Sequence, residues 1–349
     1  MIKLGDKIIA AGQAPFLVAE LSGNHNGDIK RAKAIIDAAA DAGADAVKLQ
    51  TYTADTMTLD CQQNDFHVAD LDNPWAGYTL YSLYHEAHTP WEWHQELFDY
   101  IKQKGMVPFS SPFDESAVDF LESLNCPIYK VASFELTDIP LLKKIARTGK
   151  PIIMSTGMAT LGEIEESLLA IRSESDAQVV LLKCTSTYPA DPSNSNIKTI
   201  PHLREWSKTL VGLSDHTMGS AVAVAATVMG SVVIEKHLTL QRSDGGVDAG
   251  FSLEPAEFAR MVSDVKQAHQ ALGDVSYGGS KAEQKSKLYR RSVYFKKSVS
   301  EGQKITIDDL CIIRPANGLA PKYRDQLIGR IAAHDITRGT ATAWHLFRK

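Results

Sequence analysis

The chain has 349 residues, enough for one large domain or two ordinary ones. Hydrophobic residues make up 44% and charged residues 23%, which excludes disordered, collagen-like and fibrous chains. Thirty-seven Lys and Arg against 42 Asp and Glu leave a net charge of −5 with no basic run, so no nucleic-acid partner is expected.

The first ten residues lack the apolar stretch of a signal peptide. From residue 16 onward, short apolar strands alternate with amphipathic helices. A strand over 16–20 is followed by a helix over 29–42, with Ala32, Ile35, Ile36 and Ala39 at helical spacing and Gly43 as its stop. The next strand, 46–50, leads into an insertion over 54–88, long for such a loop and therefore a lid or binding segment. His85 and His88 within it read as surface or lid residues. Thr89-Pro90-Trp91-Glu92 has the form of a capping box with Pro at the first helical position, and Trp91 and Trp93 read as packing.

Further strands are expected over 107–111, 128–132, 151–156, 179–184, 210–214 and 232–237, with a second capping box at Thr160–Glu163. The uncharged run 216–234 approaches transmembrane length but is rich in Ala, Gly, Ser and Thr, so it reads as a buried helix followed by a strand, with no membrane partner. A last helix over 257–272 turns Phe258, Met261, Val265 and Leu272 inward. Eight β/α units, with no G-x-G-x-x-G after the first strand, predict an α/β TIM (β/α)8 barrel over 1–272. Residues 273–288 read as a linker and 289–349 as a small separate domain. Cys61, Cys126, Cys184 and Cys311 are scattered without a C-x-x-C pair, which suits a reducing cytoplasm.

A barrel carries its chemistry at the C-terminal strand ends. Here those ends offer Glu20, Lys48 and Gln50, Ser110 and Ser111, Lys130 and Ser133, Ser155 and Thr156, Lys183 with Ser186 and Tyr188, Ser214 to His216, and Glu235 and His237. Lysines and hydroxyls converging on one mouth of an acidic protein suit a phosphate or carboxylate ligand. His216 and His237 close adjacent strands and can share one Lewis-acid cation, with positions left for water and substrate. Cys184 reads as core. A metal-dependent aldolase or sugar isomerase fits these residues as well.

Ala19-Glu20-Leu21-Ser22-Gly23-Asn24-His25-Asn26-Gly27, Val47-Lys48-Leu49-Gln50-Thr51, Tyr129-Lys130-Val131-Ala132-Ser133, Ser155-Thr156-Gly157-Met158, Cys184-Thr185-Ser186-Thr187-Tyr188-Pro189, Gly212-Leu213-Ser214-Asp215-His216-Thr217 and Glu235-Lys236-His237-Leu238-Thr239 together resemble the sialic acid synthase family, essentially end to end. The tail, with Arg314-Pro315-Ala316-Asn317-Gly318, is similar to that family's antifreeze-like (SAF) domain. The resemblance implies condensation of phosphoenolpyruvate with an acetamido sugar and release of phosphate. The cofactor implied is a divalent cation, manganese foremost, with magnesium or cobalt as alternatives. It implies that Glu20, Lys48 and Lys130 act at the reacting centre and that Ser111, Ser133, Ser155, Ser186, Tyr188 and Ser214 hold the donor. Glu235, Asp248 and Arg314 would also meet substrate, and His216 and His237 would bind the metal. Ser186 departs from the Asn usual in the neuraminate branch. Tyr81-Ser82-Leu83-Tyr84 and Thr89–His94 look most like the branch taking a 6-deoxy diacetamido sugar. The resemblance further implies a domain-swapped homodimer in which Arg314 of one copy serves the barrel of another.

Overall fold

The computed structural model describes residues 1–70 and 75–348. Two three-residue strands, β1 (Ile2–Leu4) and β2 (Lys7–Ile9), pair antiparallel at the start. Ile2, Leu4 and Ile9 are buried in the main core. Lys7 Nζ reaches Asp45 Oδ1 at 3.0 Å, while Asp45 Oδ2 accepts from the Leu17 amide. Because Asp45 immediately precedes the strand at Ala46, these contacts pin the hairpin to the N-terminal rim of the barrel, away from the strand ends that carry chemistry. Strands this short show no periodicity, and the sequence reading assigns none there.

The barrel strands are β3 (Phe16–Glu20), β4 (Ala46–Thr51), β5 (Val107–Pro112), β6 (Tyr129–Val131), β7 (Ile152–Ser155), β8 (Val179–Cys184), β9 (Leu210–Asp215) and β10 (Val233–His237). They close in chain order, with β10 pairing β3 in parallel. Each differs from the expected span by no more than a residue at either end. Helices cover the outside and side chains fill the inside, so both faces are buried and the strands read as near-continuous apolar runs. The register sets Glu20 beside both Lys48 and His237, Gln50 beside Ser111, and Glu235 beside Ser214. The functional side chains are thus assembled by strand pairing itself.

The helix Ile29–Ala42 starts on an Asp28 cap and stops at Gly43, whose φ of 84° only glycine adopts readily. The Thr160–Glu163 box caps Leu161–Glu174 as expected. Thr89 does not cap: a 3-10 turn, Trp91–Trp93, follows Pro90 with no side-chain cap, and the buried Thr89 hydroxyl lies 3.3 Å from His25 Nε2 instead. A tertiary partner has displaced the local one. Trp91 stacks on Phe120 at 4.6 Å, a packing role. The last barrel helix, Pro255–Leu272, buries Phe258, Met261 and Val265, but Leu272 is 46% exposed because the helix runs on past the core. The uncharged run holds the helix Ala221–Val228 and then β10. No described helix is long and apolar enough to cross a membrane.

The described residues of the insertion include two short capped helices, Ala54–Met57 and Leu80–Ala87, with a 3-10 turn, Asn64–Phe66, between them. Its positions 71–74, like residue 349 of the tail, lie outside the described residues. A second compact unit begins at Asp274. The stretch read as linker carries the short helix Lys281–Gln284 and the 3-10 turn Lys285–Tyr289. An antiparallel pair follows, β11 (Ser292–Phe295) with β12 (Leu310–Ile313), over a separate core that includes Val293, Phe295, Ile305, Leu310 and Phe347.

Candidate active site

Two lysines and two carboxyl groups meet inside the mouth of the barrel. Lys48 Nζ on β4 lies 2.7 Å from Glu235 Oε1 on β10 and 3.1 Å from Glu20 Oε2 on β3. Lys130 on β6 lies 3.8 Å from the same Glu235 oxygen and donates to Ser155 Oγ at 2.7 Å. Ser214 donates to Glu235 at 3.2 Å, and Gln50 donates to Glu20 at 3.0 Å. All four charged residues are buried.

Their environments drive the two carboxyl groups apart. Burial pushes Glu20 upward, and Lys48 offsets this only in part. Burial also acts on Glu235, but Lys130 and Lys48 together outweigh it and hold that carboxylate well below the usual range. Burial takes Lys130 down to about 8 even though Glu235 opposes it. Two titratable groups separated in this way divide the work of acid and counter-ion. Glu20 is suited to carry a proton, Glu235 to stay charged.

Hydroxyl groups surround this cluster. Ser133 Oγ accepts from the Gly157 amide at 3.1 Å. A Cβ added to Gly157 would lie 2.2 Å from Ser186 Oγ and 2.7 Å from Ser133 Oγ, so only glycine leaves this cradle open. Ser111 Oγ and Glu235 Oε2 are buried without a hydrogen-bond partner. Leaving the Ser111 hydroxyl unpaired costs about 1–3 kcal/mol, a cost that a bound anion removes, whereas Glu235 Oε2, an acceptor, needs a donor such as water.

The His216 and His237 rings stand 5.3 Å apart, with Tyr188 and Phe251 packed against them. His216 Nδ1 donates to the Thr185 carbonyl at 2.9 Å, which leaves Nε2 bare in the neutral ring. His237 Nδ1 is buried and unpartnered. This donor set fits one divalent ion whose other positions go to water and substrate. Among the described residues no group of three His, Cys, Asp or Glu converges on a metal position. Cys184, read as core, is buried, but its Sγ also lies 3.9 Å from His216 Nδ1 at the mouth.

A cavity of about 340 Å³ opens beside His237. Gln50, Asp248 and Tyr188 give it a polar side, while Met57, Val68, Leu80 and Leu83 of the insertion give it an apolar one. Asp248 accepts from the Ser22 hydroxyl and from the Gly23 amide. Trp75 Nε1 donates to the Val247 carbonyl at 2.6 Å and so joins the insertion to the loop after β10.

Sequence reasoning missed Glu135, which lines the same cavity with Oε2 buried and unpartnered. Burial, only partly opposed by Lys130, pushes it up to about 7. Its place in the turn just after β6, two residues beyond Ser133, was the signal available. Lys183 is a correction in the other direction. Cys184 points to the mouth, so its neighbour on the strand faces outward, and the expected three-lysine mouth holds Lys48 and Lys130 alone of the three. Arg314 is exposed in the second unit, just after β12.

A family model described as NeuB family matches residues 35–277, and one described as SAF domain matches residues 290–348. The chain is 40% identical to a pseudaminic acid synthase of Helicobacter pylori, over 94% of this chain and 96% of that protein. It is 37% identical to an N,N'-diacetyllegionaminic acid synthase of Campylobacter jejuni, over 90% and 95% of the two. Among solved structures it is similar to an N-acetylneuraminic acid synthetase of Leptospira borgpetersenii in complex with citrate, with a TM-score of 0.72 and 29% identity over 82% of this chain and 94% of that one. A match of this extent settles the lineage: the chain belongs to the NeuB family, the sialic-acid-synthase enzymes that form a carbon–carbon bond from phosphoenolpyruvate.

Proposed function

We propose that this chain has pseudaminic acid synthase activity, condensing phosphoenolpyruvate with 2,4-diacetamido-2,4,6-trideoxy-L-altrose and water to give pseudaminate and phosphate. The observation that carries this reading is the apolar wall that Met57, Val68, Leu80 and Leu83 of the insertion raise beside the charged mouth. A 6-methyl group and acetamido methyls gain by burial against it, whereas a 6-hydroxyl loses its water without a partner. The Helicobacter relative of that name supports the same reading.

Lys130 with Ser133, Ser155, Ser186, Ser214 and the Gly157 amide would hold the donor phosphate, and Lys48 with Ser111 its carboxylate. His216 and His237 would hold a divalent ion, manganese foremost, which when bound supplies Lewis-acid polarisation of the acceptor carbonyl. The enol carbon of the donor forms the new bond to the acceptor's aldehyde carbon, and Glu20 gives its proton to the oxygen left there. Glu235 offsets the positive charge that develops on the donor. Water adds at that centre and Glu135 takes the first proton released; the C–O bond to phosphate then breaks as the remaining hydroxyl proton passes to the departing phosphate, leaving the ketone and hydrogen phosphate. The proposal includes a homodimer with exchanged tails, in which Arg314 presents its guanidinium to an acetamido oxygen in trans. Family membership takes the place of the aldolase and isomerase readings, which need no phosphoenolpyruvate.

Phosphate release with phosphoenolpyruvate, manganese and a panel of acetamido sugars tests the assignment. The altrose derivative is expected to exceed N-acetylmannosamine by about 10–100-fold in kcat/KM. The acceptor of legionaminate synthesis carries the same methyl and acetamido groups, and a preference for it or for N-acetylmannosamine overturns the assignment. Gly157→Ala is expected to raise the donor KM at least about tenfold, since the new methyl occupies the cradle. An unchanged donor KM removes Gly157 from the phosphate site.

A further inference from the structure

Strand alternation sends Lys183 to the outer face of β8, away from the reaction centre. Its Nζ donates to the Cys184 carbonyl at 2.6 Å and to Thr185 Oγ1 at 3.3 Å, which leaves one N–H open. No carboxylate lies within ion-pair distance of it among the described residues. Lys183 lines a second cavity, about 650 Å³, between β8 and the helices Thr199–Ser207 and Ala221–Val228.

The rest of that lining has one chemical character. Lys198 adds a second cation and Asn196 an amide, and among the described residues no Asp or Glu lines the space, in a chain of net charge −5. Ser195 lines it too, 4% exposed, with an Oγ that has no hydrogen-bond partner. Ala221 and Val222 bring the first turn of their helix to the cavity, and Ser220, which could have capped that turn, spends its hydroxyl on Asp264. An uncapped helix start, two lysines and a buried free hydroxyl all complement negative charge. Small-molecule sites span about 300–1,000 Å³, so this cavity has room for the organic part of a ligand beyond a bare oxyanion.

We propose that this outer cavity binds a phosphate group, either free phosphate or the head of a phosphate monoester, with Lys183 and Ser195 as its central contacts. The site is separate from the donor cradle. It is nevertheless one residue from the reaction centre, because Thr185 takes a hydrogen bond from Lys183 and gives its carbonyl to His216.

Equilibrium dialysis of the full chain against labelled inorganic phosphate, and separately against adenosine monophosphate, tests this. Lys130→Met silences the donor cradle, so one equivalent of binding is expected to persist in that variant. Adding Lys183→Met is expected to weaken it at least about tenfold, as loss of a charge-assisted contact does, while Lys183→Arg retains it. Ser195→Ala, which removes one atom and leaves both lysines, is expected to weaken it as well and keeps the test readable if Lys183→Met does not fold. Binding of phosphate alone identifies free phosphate as the ligand, and tighter binding of the nucleotide identifies a monoester. Loss of all binding in Lys130→Met, or affinity unchanged by both Lys183→Met and Ser195→Ala, overturns the proposal. Stoichiometry unchanged by Lys130→Met but reduced by Lys183→Met would overturn the donor cradle instead.

Discussion

Lys130→Met is expected to lower kcat/KM for phosphoenolpyruvate by about 10²–10³-fold, the cost of removing one preorganised charge from a buried anion site. Methionine keeps most of the apolar stem, so packing between β6 and its neighbours survives and the loss falls on the charge. The pH profile supplies a second readout. Lys130 is held down to about 8, so as pH rises past that value the free enzyme loses the cation and kcat/KM falls. Lys130→Arg carries a guanidinium that stays protonated, so its alkaline limb is expected at higher pH. Lys130→Met should lack the limb that belongs to this residue. Unchanged donor kcat and KM in Lys130→Met would remove the residue from the site.

Glu235→Gln is expected to destabilise the barrel by about 3–5 kcal/mol, because it leaves two buried lysines to the single carboxyl of Glu20. At that size the midpoint of thermal unfolding should fall by roughly 10 °C. The loss should itself depend on pH. A buried lysine with a depressed folded pKa binds fewer protons than the unfolded chain between that value and its ordinary ~10.4, so stability rises with pH across the window. Without Glu235 the Lys130 value falls further below 8 and the window widens. The deficit of Glu235→Gln relative to the parent chain should therefore be level from about pH 8 to pH 10, where folded Lys130 is neutral in both chains, and grow as pH falls below 8. Melting curves at several pH values check this, and a deficit independent of pH would assign the loss to packing rather than to charge.

Much of this protein is legible in its residues alone. The eight barrel strands, the Asp28-capped helix before Gly43 and the Thr160 box all rest on patterns spanning a few consecutive residues, and such patterns survive folding because each is satisfied locally. The polar strand ends were legible for the same reason: a parallel strand delivers its last residues to one rim whatever its neighbours do. Contacts between distant residues were decided by the tertiary structure. Thr89 exchanged its capping role for His25, 64 positions away, and Glu135 became a cavity carboxyl only once burial had taken away its water. Lys183 turned outward because β8 aligns Cys184 with the mouth, which a list of strand-end residues does not resolve. The opposite shifts of Glu20 and Glu235 were equally beyond sequence. Two glutamates on strands more than 200 residues apart are chemically identical until the fold places both lysines around one of them and leaves burial to dominate the other.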